Sequence, residues 1–154
     1  MEYKPLTPEY DAALAALVRS SLKAHQLDIP GTAYYDESLD RLSAFYGQPG
    51  RAYYVLIDND QVIGGIGLAE FKGSCCELQK LYLADAAKGH GIGYEMIRFI
   101  ENKARELGYT QIYLETHTNL QAAIHIYEKS GYREIPQPES IVHSTMNKFY
   151  LKDL

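Results

Sequence analysis

The apolar positions along the chain change period several times, and each change marks an element. Tyr3 to Leu6 predicts a first strand. A helix follows from about Glu9 to Lys23, where Leu14, Leu17 and Val18 recur at helical spacing behind Thr7 and Pro8. His25 to Asp36 holds Pro30 and Gly31 and predicts a loop, after which Leu39, Leu42, Phe45 and Tyr46 predict a short helix from about Glu37 to Tyr46. Arg51 to Ile57 and Gln61 to Phe71 are rich in β-branched and aromatic residues. With the turn chemistry of Asp58-Asn59-Asp60 between them, they predict a hairpin.

Glu77 to Leu83 alternates Leu78, Lys80 and Tyr82 against Glu77, Gln79, Leu81 and Leu83, which predicts a strand with two chemically different faces. Ile97, Ile100, Ala104 and Leu107 form the stripe of a helix over Tyr94 to Leu107, with Gly108 as its C-terminal cap. Gln111 to Glu115 is the next strand. Asn119 is the expected cap of a helix that carries Leu120, Ala123, Ile124 and Tyr127 on one face and ends at Gly131. Tyr132 to Ile135 and Ser144 to Leu151 read as two late strands. The order is β-α-α-β-β-β-α-β-α-β-β, an α/β chain built on a mixed sheet.

Composition narrows the class. With 154 residues, 46% apolar and 23% charged, the chain suits a single globular domain spanning residues 1–154. No stretch approaches the roughly 20 apolar residues of a membrane span, and the acidic, Pro-containing start lacks the features of a signal peptide, so a cytoplasmic location is expected. Cys75 and Cys76 are neighbours, which excludes an ordinary disulfide between them; no zinc framework accompanies them, and no metal site is expected. A net charge of -5 without clustered Lys and Arg argues against a nucleic-acid partner. Of the 14 tyrosines, Tyr34, Tyr35, Tyr46, Tyr53 and Tyr54 sit outside clear core patterns; a pocket lining is one reading, and edge packing is the expected role for most of them.

The chemistry concentrates in Lys88-Gly89-His90-Gly91-Ile92-Gly93, three glycines at alternate positions opening a helix. A helix start offers unpaired N–H groups and the positive end of the macrodipole, and glycine permits close approach of an anion. Such a turn suits a pyrophosphate. The spacing is not GxGxxG, and no GxxxxGK[ST] loop is present.

With its flanking strand and helix, this turn resembles the cofactor motif [QR]xxGx[GA] of the GNAT acetyltransferase family, matched here by Lys88, Gly91 and Gly93; Lys88 stands where the family usually has Gln or Arg. Ala123 to Tyr132 resembles the family's AxxLYexxGF segment, and Leu114-Glu115-Thr116 stands before it. The resemblance covers roughly Glu77 to Tyr132. It implies the acyl-CoA N-acyltransferase fold, with acetyl-CoA as acyl donor and an amine as acceptor. By the same resemblance, Lys88, Gly89, His90, Gly91, Ile92, Gly93 and Tyr94 hold the CoA pyrophosphate, and Leu81, Tyr82 and Leu83 present backbone groups to the pantetheine arm. Many members carry Asn at the position that is Leu120 here; Asn119 stands one residue earlier. Homodimers are common among similar proteins.

Acetyl transfer to an amine needs a base, because an amine of pKa about 10.4 is mostly ammonium near neutrality. Glu77 begins the strand that leads to the glycine turn, where some family members carry a catalytic Glu. A carboxylate near pKa 4.3 needs burial, or a water relay, to serve. The alternative for Glu77 is a structural hydrogen bond at a strand edge. Tyr127 is the matching acid for the departing thiolate; its alternative is a core tyrosine on an apolar stripe. A further reading of the chain is a non-catalytic acyl-CoA-binding module of the same fold. The acceptor walls are expected at His25 to Glu37 and Pro136 to His143, with Tyr34, Tyr35, Asp36 and Glu37 as substrate residues and Glu139 beside them.

Overall fold

The computed structural model describes residues 1–142 and 144–154. Its strands are β1 (Glu2–Pro5), β2 (Ala52–Asp58), β3 (Gln61–Lys72), β4 (Cys75–Leu83), β5 (Gln111–Thr116), β6 (Arg133–Ile135) and β7 (Lys148–Asp153), with helices α1 (Asp11–Ala24), α2 (Leu42–Tyr46), α3 (Ile92–Glu106) and α4 (Gln121–Lys129). The strands form one seven-stranded sheet in the order β1-β2-β3-β4-β5-β7-β6. β4 and β5 pair in parallel and the other neighbours antiparallel, so the sheet is mixed as expected.

Helices cover both faces. Met96, Ile97, Ile100 and Ala104 of α3 are fully buried with Ile66, Leu68, Ile112 and Leu114 of the sheet. On the other face Leu14, Val18 and Leu22 of α1 and Leu42 of α2 bury against Val55 and Ile57. A Leu→Ala change in either layer is expected to cost about 2–5 kcal/mol. Asp11, at the head of α1, accepts hydrogen bonds from the N–H (2.9 Å) and hydroxyl (2.6 Å) of Ser43, fastening α2 and so setting Tyr46 against β4.

Four local readings are corrected. β4 does not alternate throughout: its register on β3 shifts between the Gly65–Tyr82 and Gly67–Gln79 pairs, and Lys80 there has φ +52°. A bulge inserts one residue and inverts the side-chain alternation. Leu78 therefore packs under α3 while Tyr82 packs in the α1 layer, and Leu81 and Leu83 take the face that Leu78 had before the bulge. Secondly, Tyr46 and Tyr53 are core residues, 5% and 3% exposed. The Tyr53 ring lies across β3, where a Cβ on Gly65 would fall 2.5 Å from its hydroxyl; the glycines remove side chains that would exclude it.

Thirdly, Asn119 caps no helix: Leu120 is the N-terminal flank of α4, and the Asn119 amide donates to the His25 carbonyl (3.0 Å), tying α4 to the end of α1. Lastly, Ser144 to Asn147 is not strand. The Asn147 N–H donates to Thr116 O (3.0 Å) and its side chain accepts from Thr118 N–H (3.0 Å), so the segment is spent closing the end of β5 before β7 begins.

Candidate active site

β4 and β5 share only three pairs, Cys75–Gln111, Cys76–Ile112 and Glu77–Tyr113. Beyond them the strands part, and a cavity of about 860 Å³ opens between them, reaching the first turn of α3, the inner face of α4 and the end of α1. The β4 edge from Leu78 to Leu83 lines it without a strand partner on that side.

At one end lies the glycine turn. Gly89 (φ +84°) and Gly91 (φ +75°) take left-handed conformations, and a Cβ on either would meet nothing within 4 Å, so backbone conformation is what requires glycine there. Gly93 differs: its Cβ would lie 2.8 Å from Ile126 Cδ1, so its smallness lets α3 approach α4. Among the described residues, no carbonyl accepts from the N–H groups of Gly89, His90 and Gly91, and the first turn of α3 adds the orphan donors of any helix start. These donors and the open space before them fit a pyrophosphate. Lys88 reaches Asp85 at 2.9 Å, and that ion pair holds the Asp85 carboxyl below its usual value.

Glu77 sits where the strands part. Its Oε1 accepts from Gln79 Nε2 at 3.2 Å, and Gln79 Oε1 accepts from the Tyr46 hydroxyl at 2.8 Å. Burial, and then the negative charge of Glu115 on β5, push the Glu77 carboxyl up to about 7, against the opposing influence of the Gln79 hydrogen bond and Lys80. Glu77 is partly buried and faces the cavity. Lys80 is also drawn in, its side chain 16% exposed and 3.8 Å from Asp36, and burial lowers its pKa.

Tyr127 lines the same cavity from α4. Burial raises its pKa, and among the described residues its hydroxyl forms no hydrogen bond. Leu81, Tyr82, Leu83, Lys88, Gly89, Gly91, Ile92, Gly93 and Tyr94 all line this cavity, as do Glu77 and Asp36, whereas His90, Tyr34, Tyr35 and Glu37 do not. Of the two expected acceptor walls, the first lines the cavity through His25, Gly31, Thr32, Ala33 and Asp36, whereas no described residue of Pro136 to Val142 does, Glu139 included; His143, at the end of the second, lies outside the described residues. The sequence reading missed Gln79, Lys80 and Tyr46 at the site. The first two were legible as polar residues on a core strand; Tyr46 stood out only as one of several tyrosines outside clear core patterns.

A model of the Acetyltransferase (GNAT) family matches residues 19–132. The chain belongs to this family. The GNAT chain is 37% identical over 134 residues to the uncharacterized N-acetyltransferase YjgM of Escherichia coli (strain K12), covering 84% of this chain and 80% of that one. A GNAT-family acetyltransferase of Staphylococcus aureus Mu50 has the same fold, with a TM-score of 0.86 at 21% identity over 99% of this chain and 98% of that one. An aminoglycoside 6'-N-acetyltransferase solved with coenzyme A matches at a TM-score of 0.75 and 20% identity, over 99% and 97% of the chains. This GNAT protein is an acyltransferase with acetyl-CoA as its cosubstrate, as the motif resemblance implied. No helix among the described residues is long and apolar enough to cross a membrane.

Proposed function

We propose that residues 1–154 form one N-acetyltransferase domain in which Glu77 takes the proton of an acceptor amine and Tyr127 serves the departing CoA thiolate. Glu77 takes one proton from the acceptor ammonium, the freed nitrogen attacks the thioester carbonyl carbon and the carbon–sulfur bond breaks; the sulfur receives a proton from Tyr127, and the second proton leaving nitrogen restores that phenol. No covalent enzyme intermediate is needed. Carrying this reading is the position of Glu77 in the wall between the parted strands, with its carboxyl pushed up to about 7. A base of that pKa is half deprotonated near neutrality and still a useful proton acceptor.

Burial keeps the Tyr127 phenol protonated, so full transfer to a thiolate of pKa about 8.5 is uphill and its contribution is modest. The backbone edge of Leu81 to Leu83 takes the pantetheine arm, and the Leu83 N–H faces the charge that develops on the thioester oxygen. The Gly89 to Tyr94 amides hold the pyrophosphate, and Lys88 leaves Asp85 for a phosphate oxygen. The acceptor is a primary amine on a small molecule or a peptide, and it approaches along the cavity wall that carries Asp36. Asp36 pairs with its ammonium before the proton leaves. A cytoplasmic location agrees with the two free, buried cysteines.

The test is thiol release from acetyl-CoA against a panel of primary amines, followed across pH. Wild-type kcat/KM is expected to fall as pH drops below about 7, and Glu77→Gln to lose that limb with at least 100-fold of the rate. An unchanged rate in Glu77→Gln would overturn the assignment.

A further inference from the structure

Glu77 is held by neutral groups as well as by charge, and those groups come from two elements. Asp11 fastens Ser43 and with it α2. The Tyr46 ring is wedged beside Phe45 and Tyr53, with centroids 4.8 Å and 5.0 Å away. Its hydroxyl therefore has little freedom, and its one proton goes to Gln79 Oε1 at 2.8 Å. That choice settles the Gln79 amide: with Oε1 taken by a donor, Nε2 is left to donate to Glu77 Oε1 at 3.2 Å. Were the amide reversed, two oxygens would meet at Glu77 and the Tyr46 proton would lose its only acceptor among the described residues.

We propose that Tyr46 and Gln79 are positioning residues for Glu77, the tyrosine fixing the amide and the amide fixing one carboxylate oxygen so that the other is left to receive the acceptor's proton. Among the described residues, no side chain donates to the second Glu77 oxygen. This proposal rests on the reading of Glu77 as the base.

Charged and titratable neighbours reach Glu77 from several sides: Glu115 on β5, Lys80 on β4 with Asp36 beyond it, Tyr46 on α2, and Tyr113 on β5, whose hydroxyl donates to Glu115 at 3.1 Å. None changes charge when Gln79 becomes Met or Tyr46 becomes Phe. Either substitution thus removes a hydrogen bond and leaves the electrostatic setting in place. Loss of a donor to a carboxylate raises its pKa, by about one unit for a single amide.

The deciding experiment follows the Glu77 carboxyl by carbon-13 NMR titration of glutamate-labelled protein, with Glu77→Gln to assign the signal. A shift of about one unit upward is expected in Gln79→Met and about half a unit in Tyr46→Phe. With the panel amine turned over fastest, kcat is expected to fall about 5- to 20-fold while KM for acetyl-CoA stays within twofold. Titration midpoints within 0.2 unit of wild type in both folded variants would overturn the proposal, as would an unchanged kcat. Full turnover in Glu77→Gln would instead remove the base reading, while the titration would still decide whether Gln79 orients the carboxylate.

Discussion

The hydroxyl of Tyr53 donates to the carbonyl of Lys80 at 2.6 Å, joining β2 to the bulge of β4 across the intervening strand β3. The bulge turns the Lys80 carbonyl out of the ladder, and Tyr53 supplies the donor that the ladder no longer gives it. Because Gly65 and Gly67 carry no side chains, the ring can lie flat over β3 to reach it.

Tyr53→Phe keeps the ring and removes this bond. Expected are a loss of about 1 kcal/mol in urea unfolding and a several-fold weaker acetyl-CoA affinity by calorimetry, since Leu81 to Leu83 follow directly from the bulge. Gly65→Val should do more damage, because its side chain meets the ring itself.

Gly91 separates conformation from charge. At φ +75° with open space before it, Gly91→Ala is expected to cost about 1 kcal/mol of stability and to bind acetyl-CoA within about tenfold of wild type. Gly91→Asp adds a carboxylate against the pyrophosphate, and calorimetry should then detect no acetyl-CoA binding. Undiminished binding in the Asp variant would move the phosphate site elsewhere.

Glu77 also makes stability depend on pH. Its folded carboxyl lies at about 7 against an ordinary 4.5, so between those values the folded state holds a proton that the unfolded state has lost, and stability falls as pH rises through the window. The ceiling is about 3 kcal/mol. Glu77→Gln should therefore unfold at a higher temperature than wild type at pH 8 and at a similar one at pH 4.5. The opposite ranking at pH 8 would contradict the burial assigned to this carboxyl.

Behind the site, Glu101 of α3 is 3% exposed and accepts from Lys152 (2.9 Å) and Tyr132 (2.9 Å), while Lys152 also donates to Ser130 O (2.7 Å) at the end of α4. Lys152→Met leaves a buried carboxylate short of its cation and is expected to cost about 3 kcal/mol. Adding Glu101→Gln should recover part of that loss. Denaturant unfolding of the two single variants and the double measures the coupling.

Much of this protein was legible in its sequence because the signals are local. The stripe of Ile97, Ile100 and Ala104 fixes the buried face of α3 with 3.6-residue geometry, Asp58-Asn59-Asp60 turns the hairpin, and the glycines before α3 take the left-handed backbone angles that their residue type permits. Family motifs lie in this same local register, and they carried the fold and the acetyl-CoA dependence.

Other features had no local signature. A period of two cannot reveal where one residue is inserted, so the bulge at Lys80, and with it the reversed faces of Leu81 to Leu83, belonged to the pairing of β4 with β3. Glu77 lies beside Glu115 of β5 and is linked through Gln79 to Tyr46 of α2, neighbours that distance along the chain hides. Asn119 likewise had the chemistry of a helix cap, and a carbonyl at the end of α1 claimed it. Sequence determined which segments form helices, strands and the glycine turn, because those follow from spacing and backbone freedom. Tertiary structure alone decided which polar groups are buried together, because desolvation and hydrogen bonding depend on neighbours in space.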